Sequence, residues 1–141
     1  MTARWVVLLA ALSVAACESD PVVVLEAGDV RMQSTKAIYG EGDAITVRIW
    51  NESDHTVFAN RCSLLSLFHV EAARYDTPPI CSLLPQPPDL TIPRHAIVEI
   101  SFGANSGSRS GTYRADALFF AEGGRRRSSV SWVSSNMFTV Q

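Results

Sequence analysis

The sequence predicts an all-β fold: an antiparallel sandwich of about seven short strands spanning residues 22–141. Three observations predict it. Apolar residues recur with a period of two from Ile45 onward, turn-forming clusters interrupt them every 8–12 residues, and no apolar stripe at helical spacing runs longer than a few turns. Glycine and proline supply the punctuation, with Thr77-Pro78-Pro79 and Pro85-Gln86-Pro87-Pro88 making the middle of the chain rigid and irregular.

The first sixteen residues stand apart from that pattern. Arg4 precedes an apolar run from Trp5 to Leu12, and small residues follow before Cys17. A positive start, a short apolar core and small residues at a cleavage point are the marks of an export signal. The run from Trp5 to Ala16 is only 12 residues, too short to cross a hydrocarbon layer of about 30 Å as a helix. Glu18 to Pro21 then forms a brief polar tether, giving a leader over 1–16, a tether over 17–21 and the domain from 22.

The strands follow in order. Val22-Val23-Val24-Leu25 is apolar and leads into the domain. Ile45, Val47 and Ile49 alternate with Thr46, Arg48 and Trp50, and the strand stops at the turn Asn51-Glu52-Ser53-Asp54. Thr56 to Ala59 makes a second short strand leading to Cys62. Leu64, Leu65, Phe68 and Ala72 would share a helical face, whereas Phe68, Val70 and Ala72 would share a strand face; the surrounding strands favour a strand from about Leu67. Val98, Ile100 and Phe102 form the apolar face of a later strand. Tyr113, Ala115, Ala117 and Phe119 form the inward set of the next, which Gly123-Gly124 turns into a hairpin. The last strand runs from about Ser129 to Val133 and resumes at Asn136 to Val140, with Ser134-Ser135 marking a bulge or bend.

Charge and composition narrow the function. The chain carries 12 Lys and Arg against 14 Asp and Glu, a net charge of −2, and loss of Arg4 with the leader makes it one unit more negative. A mildly acidic exported domain is a poor nucleic-acid binder. His55, His69 and His95 lack histidine partners at i+2 or i+4, so no metal is expected, and they read as a solvated turn, a strand face and a loop. No G-x-S-x-G elbow or distinctive carboxylate pair is present, so catalytic residues and cofactors are not expected and binding outweighs catalysis. Asn51-Glu52-Ser53 matches a glycosylation sequon, which is read as chance.

Three features invite contact. Arg125-Arg126-Arg127 concentrates positive charge at the expected hairpin tip, where it would either touch anionic headgroups or an acidic partner, or keep the hairpin from pairing with neighbours. Trp50 and Trp132 read as outward-facing aromatics at a contact surface or a sandwich edge.

Two resemblances rest on these residues. Val14-Ala15-Ala16-Cys17 resembles the lipobox of bacterial lipoproteins. The resemblance implies a diacylglyceryl group on the Cys17 sulfur, acylation of the new N-terminus, and a lipid-anchored envelope protein. Several acyl chains would hold it firmly, since each buried methylene contributes about 0.8 kcal/mol. Glu18, in place of aspartate after the cysteine, favours the outer membrane where a cell has one. With Cys17 committed to lipid, Cys62 and Cys81 remain as an even pair in an oxidising compartment. They are expected to form a disulfide, since a metal site or redox pair would need closer spacing or histidine neighbours.

The second resemblance is carried by Tyr39-Gly40-Glu41-Gly42-Asp43 with its following strand to Asn51, by Gly111-Thr112-Tyr113-Arg114, and by Ser134-Ser135-Asn136-Met137-Phe138-Thr139-Val140. These resemble small immunoglobulin-like domains of exported bacterial proteins, among them domains related to the BsuPI proteinase inhibitor. Gly42 is expected at a positive φ, and Tyr113 as a tyrosine corner whose hydroxyl caps nearby backbone. The resemblance implies a binding or structural module with a protein partner in the envelope. Its alternatives are a proteinase inhibitor presenting Asp76 to Pro88, and an immunity or assembly factor for one partner.

Overall fold

The computed structural model describes residues 23–40, 42–64, 66–76, 85, 88–102, 110–123 and 126–141, with backbone alone at positions 63, 102, 122, 123 and 126–130. The leader over 1–16, Cys17, the rest of the tether, Cys81, Gly124 and Arg125 lie outside the described residues. What is described is a sandwich of two sheets.

One sheet has three antiparallel strands: β1 (Val30–Ser34), β3 (Ile45–Asn51) and β8 (Ile97–Phe102), with β3 in the centre. Alternation in β3 is as the sequence predicts, with Ile45, Val47, Ile49 and Asn51 facing inward. Val30, Met32 and Ser34 do the same from β1. On β8, Ile97, Glu99 and Ser101 are exposed while Val98 and Ile100 are half-buried, the expected polarity.

The second sheet is built on β9 (Gly111–Gly123). On one side β9 pairs with β10 (Arg126–Ser134) and then with β11 (Phe138–Val140). On the other it pairs with β5 (Leu67–His69) near its start and β4 (Val57–Ala59) near its end. Short outer strands extend these: β6 (Arg74–Asp76) beside β5, and β7 (Leu90–Ile92) beside β4. β2 (Ile38–Tyr39) lies beside β11, paired parallel to it. Eleven described strands exceed the seven or so legible in the pattern, since six of them have three residues or fewer, too short for alternation to register. A single turn, α1 (Arg61–Leu64), precedes β5, so Leu64 is helical and the strand begins at Leu67 as expected.

The core lies between the sheets. From β9 come Tyr113, Ala115, Ala117, Phe119 and Ala121, all at 1% exposure or less. The alanines let the facing sheet approach, and Ile49, Val47, Ile92, Leu67 and Phe138 fill the space around the two large rings. Each such aliphatic or aromatic side chain contributes about 1.5–3 kcal/mol through its burial.

Polar side chains sew the sheets together at three points. Asn51 ends β3 on an inward position, where its Nδ2 donates to the carbonyls of His55 (2.8 Å), Ile92 (3.2 Å) and Pro93 (2.9 Å). Its Oδ1 accepts from the Ser53 amide (3.1 Å) and hydroxyl (2.7 Å), closing the turn. The sequon asparagine is thus committed inside the protein. Asn136 makes a second stitch: its Oδ1 accepts from the Ser34 amide (2.7 Å) and its Nδ2 donates to Ser34 Oγ (2.9 Å).

The third stitch is Tyr39. Its hydroxyl donates to the Thr46 carbonyl (2.9 Å) and accepts from the amides of Lys36 (3.2 Å) and Thr46 (3.4 Å). Tyr113 is as buried as expected. Gly42 takes its expected positive φ of 82°. The predicted break near Ser134-Ser135 is also present: the Ser135 amide donates to the Ala115 carbonyl (2.8 Å) while Ser135 Oγ accepts from the Ala115 amide (2.9 Å). A side chain there stands in for a strand carbonyl, and β10 ends.

Candidate binding surface

Trp50 lies on the outward face of the three-stranded sheet, between two guanidinium groups. Those of Arg31 and Arg48 sit 5.4 and 5.8 Å from its ring centroid. Each arginine also has a carboxylate: Arg31 pairs with Glu52, and Arg48 with Glu99 across β3 and β8. The patch is therefore neutralised from within, and such exposed pairs contribute about 0–1 kcal/mol each. Ile97, opposite Trp50 in the register, is 59% exposed.

Trp132 occupies the other outer face. It is 54% exposed and stands directly opposite Leu118 on β9. The two tryptophans therefore do not converge on one site. Arg126 and Arg127 open β10, paired opposite Gly123 and Glu122. A register shift between Arg127 and Ser129 adds a bulge beside them. Cys62 sits on α1, half-buried, with its amide donating to Asn60 Oδ1 (3.0 Å) and its carbonyl accepting from Ser66 Oγ (2.8 Å).

The two lateral sides of the sandwich differ. On one, β1 runs alongside β10 and the Ser34–Asn136 stitch closes the gap. On the other, β8 is the terminal strand of its sheet and β7 the terminal strand of the other. Between them opens a cleft of about 370 Å³, lined by Leu64, Leu90 and Ile100 inside and by Arg61, Glu99 and Ser101 at its rim. Arg61 is exposed and has no ion-pair partner among the described residues. The backbone along this cleft is also open. The Asn51 amide donates to the Ala96 carbonyl (3.0 Å), which sets the phase of the ladder. The main-chain groups of Val98 and Ile100 therefore turn toward β3, and those of Ile97, Glu99 and Ser101 turn away from it.

A cluster of ionisable groups lies elsewhere, over the start of β9, and was not legible as a cluster in the sequence. Asp116 is 1% exposed, bonded by Arg114 Nε (2.9 Å) and by the Tyr75 hydroxyl (2.7 Å). Arg114 in turn rests 4.6 Å from the Phe68 ring centroid. Burial first, then the hydrogen bond to Asp116, raise the Tyr75 hydroxyl above its ordinary range, and Asp116 raises Arg114. Beside them the His69 ring stacks on Tyr113 at 4.6 Å, and its Nε2 lies 3.3 Å from Glu71. Burial, followed by Asp76, raises the Tyr113 hydroxyl. The His69 Nδ1 is buried without a partner. Gly111 makes this packing possible: a Cβ there would lie 2.4 Å from His69 Nε2. These groups mostly satisfy one another, and the arrangement fastens the β5–β6 hairpin to β9.

The other histidines stand where the sequence places them. His55 is exposed in its turn, and His95, in a loop at φ 55°, pairs with Asp54 at 3.0 Å. Among the described residues no group of three His, Cys, Asp or Glu could hold a metal ion, and no helix is long and apolar enough to cross a membrane.

No family model matches the chain, and no curated protein matches it. Among solved structures it is similar to the alkylpurine DNA glycosylase AlkC of Pseudomonas fluorescens, bound to DNA containing an abasic site analog. The likeness has a TM-score of 0.31 at 9% identity and covers 80% of this chain. The chain spans 30% of the length of that protein. A likeness so distant carries no functional argument.

Proposed function

We propose that this chain is a lipid-anchored, non-catalytic binding module of the bacterial cell envelope, held to the membrane through Cys17 and engaging a protein partner. The observation that carries the binding role is the asymmetry of the sandwich. One side is stitched shut, while the other presents a strand edge and an arginine that have no partner among the described residues, set about an apolar cleft. The lipobox-like Val14-Ala15-Ala16-Cys17 supports the anchor. The family resemblance at Tyr39 to Asn51, and the closing strand to Val140, support an immunoglobulin-like module related to the BsuPI group.

With Cys17 committed to lipid, Cys62 and Cys81 are left as an even pair in an oxidising compartment, and a disulfide would join them. Closing a loop of that length would stabilise the domain by about 3 kcal/mol. The tether between Cys17 and the domain is short, so partners would be met close to the membrane surface.

The test is metabolic labelling with a palmitate analogue in a bacterial host, comparing the full chain with Cys17→Ser. Label and membrane sedimentation should both depend on Cys17. An unlabelled mature protein, or one retaining Met1, overturns the anchor. For the binding role, cross-linking in intact cells should trap one discrete envelope protein, and failure to trap any would overturn that role.

A further inference from the structure

We infer that the open edge of β8 is a docking site for an extended peptide segment of the partner, which adds to the three-stranded sheet as a fourth strand. The inference rests on the binding role proposed above and specifies where and how the partner binds.

Four observations on β8 agree. Among the described residues its outer edge has no pairing partner over a run of six, Ile97 to Phe102, that contains no proline, no lysine and no bulge. Exposed edges are ordinarily blunted by such devices. The comparison within this molecule is direct: β10 also has an edge with no partner among the described residues, but it carries Arg126, Arg127 and a register shift. Next, the main-chain groups of Ile97, Glu99 and Ser101 all point outward, offering three donors and three acceptors to an incoming strand. Third, such a strand would turn alternate side chains inward over the cleft, where Leu64, Leu90 and Ile100 supply an apolar lining. Finally, Arg61 stands at the rim without an ion-pair partner among the described residues.

Together these specify the occupant. It is a segment of another protein, with apolar residues at two alternating positions and an acidic residue placed to meet Arg61. A second copy of this chain fits less well. Antiparallel pairing of two β8 edges about their centre sets Glu99 against Glu99, and like charges directly opposite are destabilising.

The test uses the full chain in detergent micelles and two fluorescent eight-residue peptides of alternating valine and threonine. One ends in aspartate and the other in lysine. The acidic peptide should bind better than the basic one, and Arg61→Glu should reverse that order, with a change of about tenfold or more in each affinity. Arg61 is exposed, so folding should survive the change. Hydrogen exchange followed by NMR should show the amides of Ile97, Glu99 and Ser101 becoming protected by the acidic peptide, with Val98 and Ile100 unchanged.

Binding without protection of those three amides, or no binding of either peptide, overturns the inference. So does a concentration-dependent dimer that protects them without peptide. Photo-cross-linkers at positions 97 and 132 in intact cells separate this from the broader reading. Trapping from 97 supports strand addition. Trapping from 132 alone overturns it while leaving a binding module in place, and trapping from neither, with no envelope protein bound at all, overturns the binding role itself.

Discussion

Replacing Asn51 tests the packing argument most severely, because one side chain ties β3 to the end of β7 and closes the intervening turn. Asn51→Ala removes three donated and two accepted hydrogen bonds. Some former partners keep another: the His55 carbonyl still accepts from Ser53 Oγ, and the Pro93 carbonyl from the Ala96 amide. The Ile92 carbonyl and the Ser53 amide lose a partner, at about 1–3 kcal/mol for each buried group left unsatisfied. The vacated amide volume adds to this, giving about 3–5 kcal/mol in all. In a domain of this size that corresponds to a fall in Tm of about 10–25 °C. Urea unfolding followed by tryptophan fluorescence, Trp50 being the adjacent residue, gives the free energy directly.

Asn51→Asp sharpens the test. It keeps the acceptor for Ser53 but sets a carboxylate against three carbonyl oxygens, so its folded-state pKa is raised. The folded protein then holds the proton more tightly than the unfolded chain, and stability falls as pH rises above the unfolded value of about 3.9. This variant should be markedly weaker at pH 7 than at pH 4, relative to the parent. A loss below about 1 kcal/mol for Asn51→Ala, or no pH dependence for Asn51→Asp, would refute the assignment of Asn51 as the inter-sheet tie.

Three further outcomes are expected. Gly111→Ala places a methyl 2.4 Å from His69 Nε2 at a φ of 157°; with His69 held against Tyr113, it should cost about 2–4 kcal/mol in urea unfolding. Tyr39→Phe removes the hydroxyl from three backbone contacts and should cost about 1–3 kcal/mol, whereas loss of the exposed Trp132 side chain should shift the unfolding midpoint little. Hydrogen bonds from Thr112 lower the Glu71 carboxyl, and the Gly40 amide followed by Lys36 lowers that of Asp43. Both contribute stability above the unfolded carboxylate values near pH 4, and lose it as pH falls through their lower folded values. Glu71→Gln should therefore be less stable than the parent at neutral pH, with the gap closing below about pH 4 in acid-unfolding curves.

The alternating segments were the legible part of this chain. Ile45 to Asn51, Val98 to Phe102 and Tyr113 to Phe119 disclose their inward faces because each buries one side against the opposing sheet. The start of β5 at Leu67 was legible from the strands around it, and the break at Ser135 from the serine pair that interrupts the pattern. Roles that depend on strand order were not. That the Tyr39 hydroxyl caps backbone depends on where Thr46 lies in space, which the pattern around Tyr39 does not disclose. Asp116 occupies an outward position of β9, yet Tyr75 of β6 reaches it and Arg114 pairs with it, a contact set by chain crossing. Trp50 was legible as an outward aromatic with Arg48 two residues before it, but Arg31, the second guanidinium beside it, comes from β1. The open edge of β8 is a property of topology alone; its six residues read like any half-buried strand.

The long β9 strand governs the order in which the larger sheet can form. β4, β5, β10 and β11 all pair with it, so that sheet cannot assemble until residue 111 and its successors are in place. Before that point the three strands of the small sheet can pair, while β4–β7 and β5–β6 offer ladders of three residues each, which bury too little to persist. The strands made first therefore wait on one made later, and the larger sheet closes as a unit.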